Sequence, residues 1–360
     1  MSEVNEKSDM PVSIYLRCDV GGYHGLGHLA RMQVLANYLA NSTSFKPVLI
    51  FAAEKSEVIQ AKLATINAKI VQAPTYLHQE DSWTYDFIAG CKNEKGGSIV
   101  TVFDQKDISS GFVGEFNELG VTVCLDDEKY RSFDCDILVN PNPWSARCGY
   151  QIAQPEKTEI IAGEGCHFVD QQYFDQRQLQ RYSAQHPHIL ITMGGEDPLN
   201  HTSWILKNCA GVLIDVKVDV VVGPSHPDAR QVEADAKQYV PHATLHFSPP
   251  DLKQLVAGTS CAITAGGQTC YELLASGVPS IGVVVEEHQR SLVDFFVGEG
   301  ALLYGADHSL TGADILCDRM RSLLESQDVW CSLRNAGYRC FPDDGIKPLL
   351  DAIKRKIGVT

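Results

Sequence analysis

Residues 17–31 read Arg17-Cys18-Asp19-Val20-Gly21-Gly22-Tyr23-His24-Gly25-Leu26-Gly27-His28-Leu29-Ala30-Arg31, a glycine-rich turn between the apolar run Val12 to Leu16 and an amphipathic segment ending near Ala40. Gly21, Gly22, Gly25 and Gly27 allow positive φ and close approach of backbone to a ligand, and the amides opening the next helix are donors for an anion. Leu29, Met32, Leu35, Ala36 and Leu39 recur at helical spacing and form a core face, which leaves His28 at the mouth of the helix. The spacing is neither a dinucleotide fingerprint nor a phosphate loop ending in Lys-Ser/Thr. Such a turn serves either tight helix–strand packing or a ligand, and a second landmark has to decide.

Working outward, short β-branched apolar runs alternate with helical patterns along all 360 residues, the mark of parallel sheets covered by helices. In the first half, strands are expected near Val12 to Cys18, Pro47 to Ala52, Ala68 to Gln72, Ser98 to Phe103, Val121 to Leu125 and Ile137 to Asn140. Asp104 and Asp126 then fall just past strand ends, where open parallel sheets line their ligand crevice, although acids there also form turns. In the second half, strands are expected near His188 to Met193, Val216 to Val222, Ala243 to Phe247, Cys261 to Thr264, Pro279 to Val285 and Ala301 to Tyr304. The length suits two domains. The reading is α/β, with a disordered tail at 1–10, a Rossmann-like domain at 11–182, a second at 183–340, and a C-terminal stretch at 341–360. That last stretch contains a helix, Pro348 to Lys356, expected to pack back across the hinge.

The net charge of −15 argues against non-specific binding to nucleic acid or anionic membrane. The polar, acidic first residues do not resemble a secretory signal, and no apolar run is long enough to span a bilayer, so a cytoplasmic protein is expected. Twelve cysteines are scattered singly without a CxxC pair and read as buried thiols. His186 with His188, and His242 with His246, have spacings found in metal sites but no evident third ligand. Neither a metal nor a cofactor is expected.

The second landmark lies in the second half. Gly194-Gly195-Glu196-Asp197-Pro198 follows a strand, and so does Ala265-Gly266-Gly267-Gln268-Thr269-Cys270-Tyr271-Glu272. Gly266 and Gly267 present amides at a helix start, which suits a pyrophosphate. Glu272, over a turn further on, can accept two hydrogen bonds from the vicinal hydroxyls of a ribose, or can equally be a solvated helix residue. After the next strand comes Glu286-Glu287-His288-Gln289-Arg290, where Gln289 can donate and accept in a sugar or phosphate network.

In these residues the chain resembles glycosyltransferase-B (GT-B) type proteins. More specifically, it resembles the pseudaminic-acid pathway hydrolases that act on UDP-2,4-diacetamido-2,4,6-trideoxy-β-L-altropyranose. Arg17, Asp19, Gly25, Gly27, His28 and Arg31 match the family's R-x-D, G-x-G-H and following arginine. Asp126-Asp127-Glu128 and Cys135 to Asn140 resemble its DD turn and C-D-x-L-x-N strand, and Gly194, Gly195 and Asp197 its GGxD loop. Ala265 to Glu272 also resembles the nucleotide-binding segment of the peptidoglycan N-acetylglucosaminyltransferase.

The resemblance implies a UDP-sugar as the partner. Two Rossmann-like domains would face across a cleft, the second holding UDP and the first presenting His28 as general base toward a water that displaces UDP with inversion. The implied nucleotide set is Gly194, Gly195, Asp197, Phe247, Ser248, Ala265, Gly266, Gly267, Thr269, Glu272 and Gln289, with uracil on the backbone around Phe247 and Ser248. The implied sugar set is Arg17, Asp19, Gly25, Gly27, Arg31, Asp104, Lys106 and His288. Asp104-Gln105-Lys106 stands where the family has D-H-Y, and His288-Gln289 where it has Asn-Gln. Lys106 is expected to pair with a sugar carboxylate, a phosphate or Asp104. Two alternatives share the cleft: an inverting glycosyltransferase in which His28 deprotonates an acceptor hydroxyl, and a non-catalytic nucleotide-sugar-binding protein.

Overall fold

The computed structural model describes residues 11–20, 27–53, 56–73, 82–95, 97–105, 108–127, 132–147, 149–152, 155–163, 165–305, 310–342 and 344–359. The expected tail at 1–10, Gly25 and Lys106 lie outside them. The chain divides into two compact units, Met1–Phe168 with Asp344–Thr360, and Val169–Asp343.

The first unit contains β1 (Val12–Val20), α1 (Gly27–Ala40), β2 (Phe45–Ala53), α2 (Glu57–Leu63), β3 (Lys69–Gln72), α3 (Ser82–Lys95), β4 (Ile99–Asp104), α4 (Ser110–Glu115) and β5 (Val121–Leu125). The strands β6 (Ser132–Phe133), β7 (Ile137–Asn140), β8 (Gln151–Ile152) and β9 (Glu159–Ala162) follow. Its main sheet runs β3-β2-β1-β4-β5-β7-β9, every described pair parallel, while β6 and β8 form a small parallel pair of their own. Strands such as β1 and β4 are buried on both faces and so read as nearly unbroken apolar runs. Alternation along β1 sorts its side chains. Ile14, Leu16, Cys18 and Val20 pack with Leu29, Met32, Leu35, Ala36 and Leu39 of α1, whereas Tyr15 packs in the opposite layer with Phe103, Phe112 and Phe116.

The second unit contains α5 (Gln171–Asp175), β10 (His188–Thr192), α6 (His201–Asn208), β11 (Lys217–Val222), α7 (Ala229–Tyr239), β12 (Thr244–Phe247), α8 (Lys253–Ala257), β13 (Cys261–Ala265), α9 (Gln268–Ser276), β14 (Ser280–Val283) and α10 (Arg290–Gly298). It ends with β15 (Leu302–Tyr304), α11 (Leu310–Glu325) and α12 (Gln327–Cys340). Its sheet runs β12-β11-β10-β13-β14-β15, again with every pair parallel. Both sheets reverse their strand order beside the first strand, between β1 and β4 and between β10 and β13, the switch points at which doubly wound sheets open a crevice.

Two segments differ from the expected boundaries. Residues 169–182, expected with the first domain, pack in the second unit: Arg177 donates to the Ala275 and Phe341 carbonyls and lies over the rings of Phe174 and Tyr338. The last helix, α13 (Lys347–Ile357), belongs to the first unit, where Leu349, Leu350, Ala352 and Ile353 enter the same core cluster as β1 and α1. A strand also appears at β9, where the sequence reading had none. No described helix is long and apolar enough to cross a membrane.

Candidate functional site

Parallel register sets Cys18 of β1 beside Asp104 of β4, which brings the carboxyl ends of both strands level at the first unit's switch point. Asp104 is 1% exposed, and α1, packed on this face, brings His28 and Arg31 to it from one turn. His28 Nδ1 lies 2.6 Å from Asp104 Oδ1. Arg31 donates from Nε to Asp104 Oδ2 at 3.1 Å and from Nη2 to Oδ1 at 2.6 Å. It also reaches Asp127, just past β5, from Nη2 to Oδ2 at 2.8 Å and from Nη1 to Oδ1.

Proton accounting assigns the tautomer. Both Nη2 protons of Arg31 go to carboxylates, so its 3.0 Å approach to His28 Nδ1 carries no donor for the ring. Nδ1 therefore carries its own proton and donates it to Asp104, which leaves Nε2 as the ring atom through which His28 can exchange a proton. Burial disfavours the Arg31 charge, and the Asp104 and Asp127 carboxylates more than restore it, so its pKa lies above the ordinary value. Arg31, one of the residues expected on the sugar side, is thus paired with two carboxylates.

Arg17 and Asp19 also came from that reading, and here alternation separates them from His28. They project to the β1 face opposite Cys18. Arg17, 1% exposed, donates to Asp19 Oδ1 and to the Cys18 carbonyl at 2.8 Å, and Gln105 Nε2 donates to Asp19 Oδ2 at 2.7 Å. Asp127 joins the His28 cluster, although sequence reasoning left it out of the site. Gly27 begins α1, and a Cβ there would meet nothing within 4 Å.

In the second unit, the turn after β10 is locked from behind. Gly194 has φ +85°, Ser225 N donates to the Gly195 carbonyl at 2.9 Å, and a Cβ on Gly223 would lie 2.3 Å from the Gly194 carbonyl oxygen. Gly223→Ala is therefore expected to destabilise this unit by about 1–3 kcal/mol, read as a lower urea midpoint, because backbone rather than a flexible side chain must move. Asp197, 2% exposed, accepts from the His201 and Thr202 amides at 2.7 and 2.9 Å and from the Thr202 hydroxyl at 2.7 Å. It holds the start of α6. Its burial raises the pKa, but bonds from His201 and Thr202 outweigh that and leave it below the usual carboxylate value.

A pKa lowered by folding adds stability that is complete above the unfolded value, about 3.9, and is lost as pH falls through the folded one. Asp197→Asn should therefore cost about 1–3 kcal/mol near neutrality. The difference from wild type should shrink below about pH 4 in a series of urea titrations.

The turn after β13 separates its two glycines. A Cβ on Gly266 would meet Val293 Cγ2 at 2.8 Å and the Gln289 carbonyl at 3.0 Å, so α10 packs directly on it, whereas Gly267, the N-cap of α9, has open space. Ala265 closes β13, and Thr269 and Glu272 follow on α9. Glu272 is half-buried and accepts from the phenol of buried Tyr173, whose own pKa is raised first by burial and then by that carboxylate. Gln289 Oε1 accepts from the Val285 amide at 3.2 Å. Phe247 is half-exposed, Ser248 has φ +48° and donates its amide to the Val222 carbonyl, and His288 is exposed beside Glu286. His188 and His246 both face Asp219 across the sheet, and His242 Nε2 meets the Leu213 and Val216 carbonyls.

The comparisons with known proteins agree with this architecture. No protein-family model matches the chain. An uncharacterized protein of Methanocaldococcus jannaschii is 24% identical over 281 residues, which are 76% of this chain and 56% of the relative, so the match spans little more than half of that relative's length. The UDP-2,4-diacetamido-2,4,6-trideoxy-beta-L-altropyranose hydrolase of Campylobacter jejuni is 23% identical over 63% of this chain and 75% of its own. A glycosyltransferase of Rickettsia africae superposes with TM-score 0.65 at 13% identity, covering 97% of this chain and 100% of the other. The chain has the two-Rossmann GT-B architecture.

Proposed function

We propose that the protein catalyses an inverting displacement at the anomeric carbon of a UDP-sugar, with His28 as general base held by Asp104. The observation that carries the reading is the 2.6 Å Nδ1–Asp104 contact, which orients the ring through one nitrogen and leaves the other, Nε2, for proton transfer. Nε2 takes the proton of an attacking O–H. The oxygen bonds to the anomeric carbon from the side opposite the leaving group, and the bond to UDP breaks with its electron pair on the phosphate oxygen. The open amide side of Gly267 at the start of α9 and the carboxylate of Glu272 suit the diphosphate and the ribose. UDP-sugar chemistry is part of the printed name of the Campylobacter jejuni relative.

The nucleophile has two readings. Transfer to an acceptor hydroxyl is favoured by the likeness to the Rickettsia africae glycosyltransferase. Attack by water is favoured by the likeness to the Campylobacter jejuni hydrolase. In both, the base and the bond broken are the same.

The test is incubation with a panel of UDP-sugars, with and without acceptor alcohols, with anomeric products followed by NMR. UDP release that needs an acceptor establishes transfer, and release in water alone establishes hydrolysis. UDP binding without turnover of any sugar would leave only a nucleotide-sugar-binding role.

A further inference from the structure

The geometry points to Arg31 as the built-in cation of this site: its guanidinium takes the position that a divalent ion would otherwise hold among His28, Asp104 and Asp127. The inference deepens the reading of His28 as base and rests on it for its catalytic meaning, but not for its geometry. Among the described residues, His28, Asp104 and Asp127 bring one donor atom each within 4.8 Å of one another, a nitrogen and two carboxylate oxygens of the kind that ligate divalent metals. Two carboxylates this close repel unless a cation lies between them. Arg31 bridges them with four N–H bonds, two to each acid, the forked pairing for which a planar guanidinium is suited and an ammonium is not.

The arrangement explains why Asp127 belongs to the site without touching His28 through any bond described above. It holds the far edge of Arg31, and Arg31 in turn holds Asp104, the acid that meets His28 Nδ1. Asp127 is therefore a positioning residue that acts through Arg31. Its side chain is 37% exposed, so the clamp is open to solvent on that side and an ion has a way in once the guanidinium is gone.

The test is a titration of the full-length protein with Mn²⁺, followed by the EPR signal of the free ion. Wild type is expected to show no Mn²⁺ site that Asp127→Asn removes. Arg31→Ala is expected to gain one bound Mn²⁺ per chain, displaced by guanidinium chloride and lost in the Arg31→Ala, Asp127→Asn double variant. Arg31→Lys, which keeps the charge but not the fork, should gain none. Mn²⁺ should also raise the thermal midpoint of Arg31→Ala.

An Arg31→Ala protein that binds no more Mn²⁺ than wild type overturns the inference. So does a wild type that binds one Mn²⁺ abolished by Asp127→Asn. That second measurement uses a partly exposed residue and stands even if Arg31→Ala fails to fold. Because ion binding is read without turnover, its failure is separate from failure of the His28 reading, which only activity reports.

Discussion

His28→Ala is expected to lower kcat by about 10²- to 10⁴-fold, the usual worth of a positioned general base, while the KM for the nucleotide sugar changes little. The split follows from where His28 sits. Its ring meets Asp104 in the first unit, whereas the residues proposed for the nucleotide belong to the second. Loss of the ring should not collapse the site, because Arg31 still donates twice to Asp104 and twice to Asp127. The thermal midpoint should therefore move far less than the rate. Asp104→Asn should cost a comparable factor by a different route, since an amide no longer selects the Nδ1–H tautomer. Steady-state kinetics on the productive UDP-sugar, with a thermal melt of each variant, checks both. Wild-type turnover in His28→Ala would end the proposed mechanism.

Deleting residues 344–360 is expected to prevent the first unit from folding while leaving the second unit's transition in place. Ile346, Leu349, Ala352 and Ile353 are each at most 3% exposed and share one cluster with β1 and α1. Truncating one buried leucine or isoleucine to alanine costs about 2–5 kcal/mol, so removing the helix exceeds the roughly 5–15 kcal/mol that holds a domain together. Leu349→Ala alone should cost about 2–5 kcal/mol. The exposed Arg355–Glu159 pair contributes little by comparison. Limited proteolysis of the truncated chain should digest the first unit and spare residues 169–343.

The alternating pattern made both Rossmann-like sheets legible, since β1, β4, β10 and β13 are short apolar runs between helical periods. The boundaries were harder. Residues 169–182 are polar in sequence, and they join the second unit through Arg177 between two rings, a long-range contact that no local period records. At the site, His28, Arg31 and Asp104 were each singled out, and the structure brings them together. Arg17 and Asp19 stand in the same motif as His28, yet strand alternation sends them to the other face, where they bond with Gln105. Asp127 was visible only as part of a turn, because what makes it matter is a bond to a residue 96 positions earlier.

The return of α13 sets an order of events during synthesis. The second unit is a continuous segment and can fold as soon as it leaves the ribosome, but the first has to wait with an uncovered apolar cluster while some 175 intervening residues are made. That cluster is the one on which α1 rests, so the helix carrying His28 gains its full support only when the final segment emerges. A chain released after residue 343 would then carry a finished second unit beside a first unit that still needs a chaperone's cover.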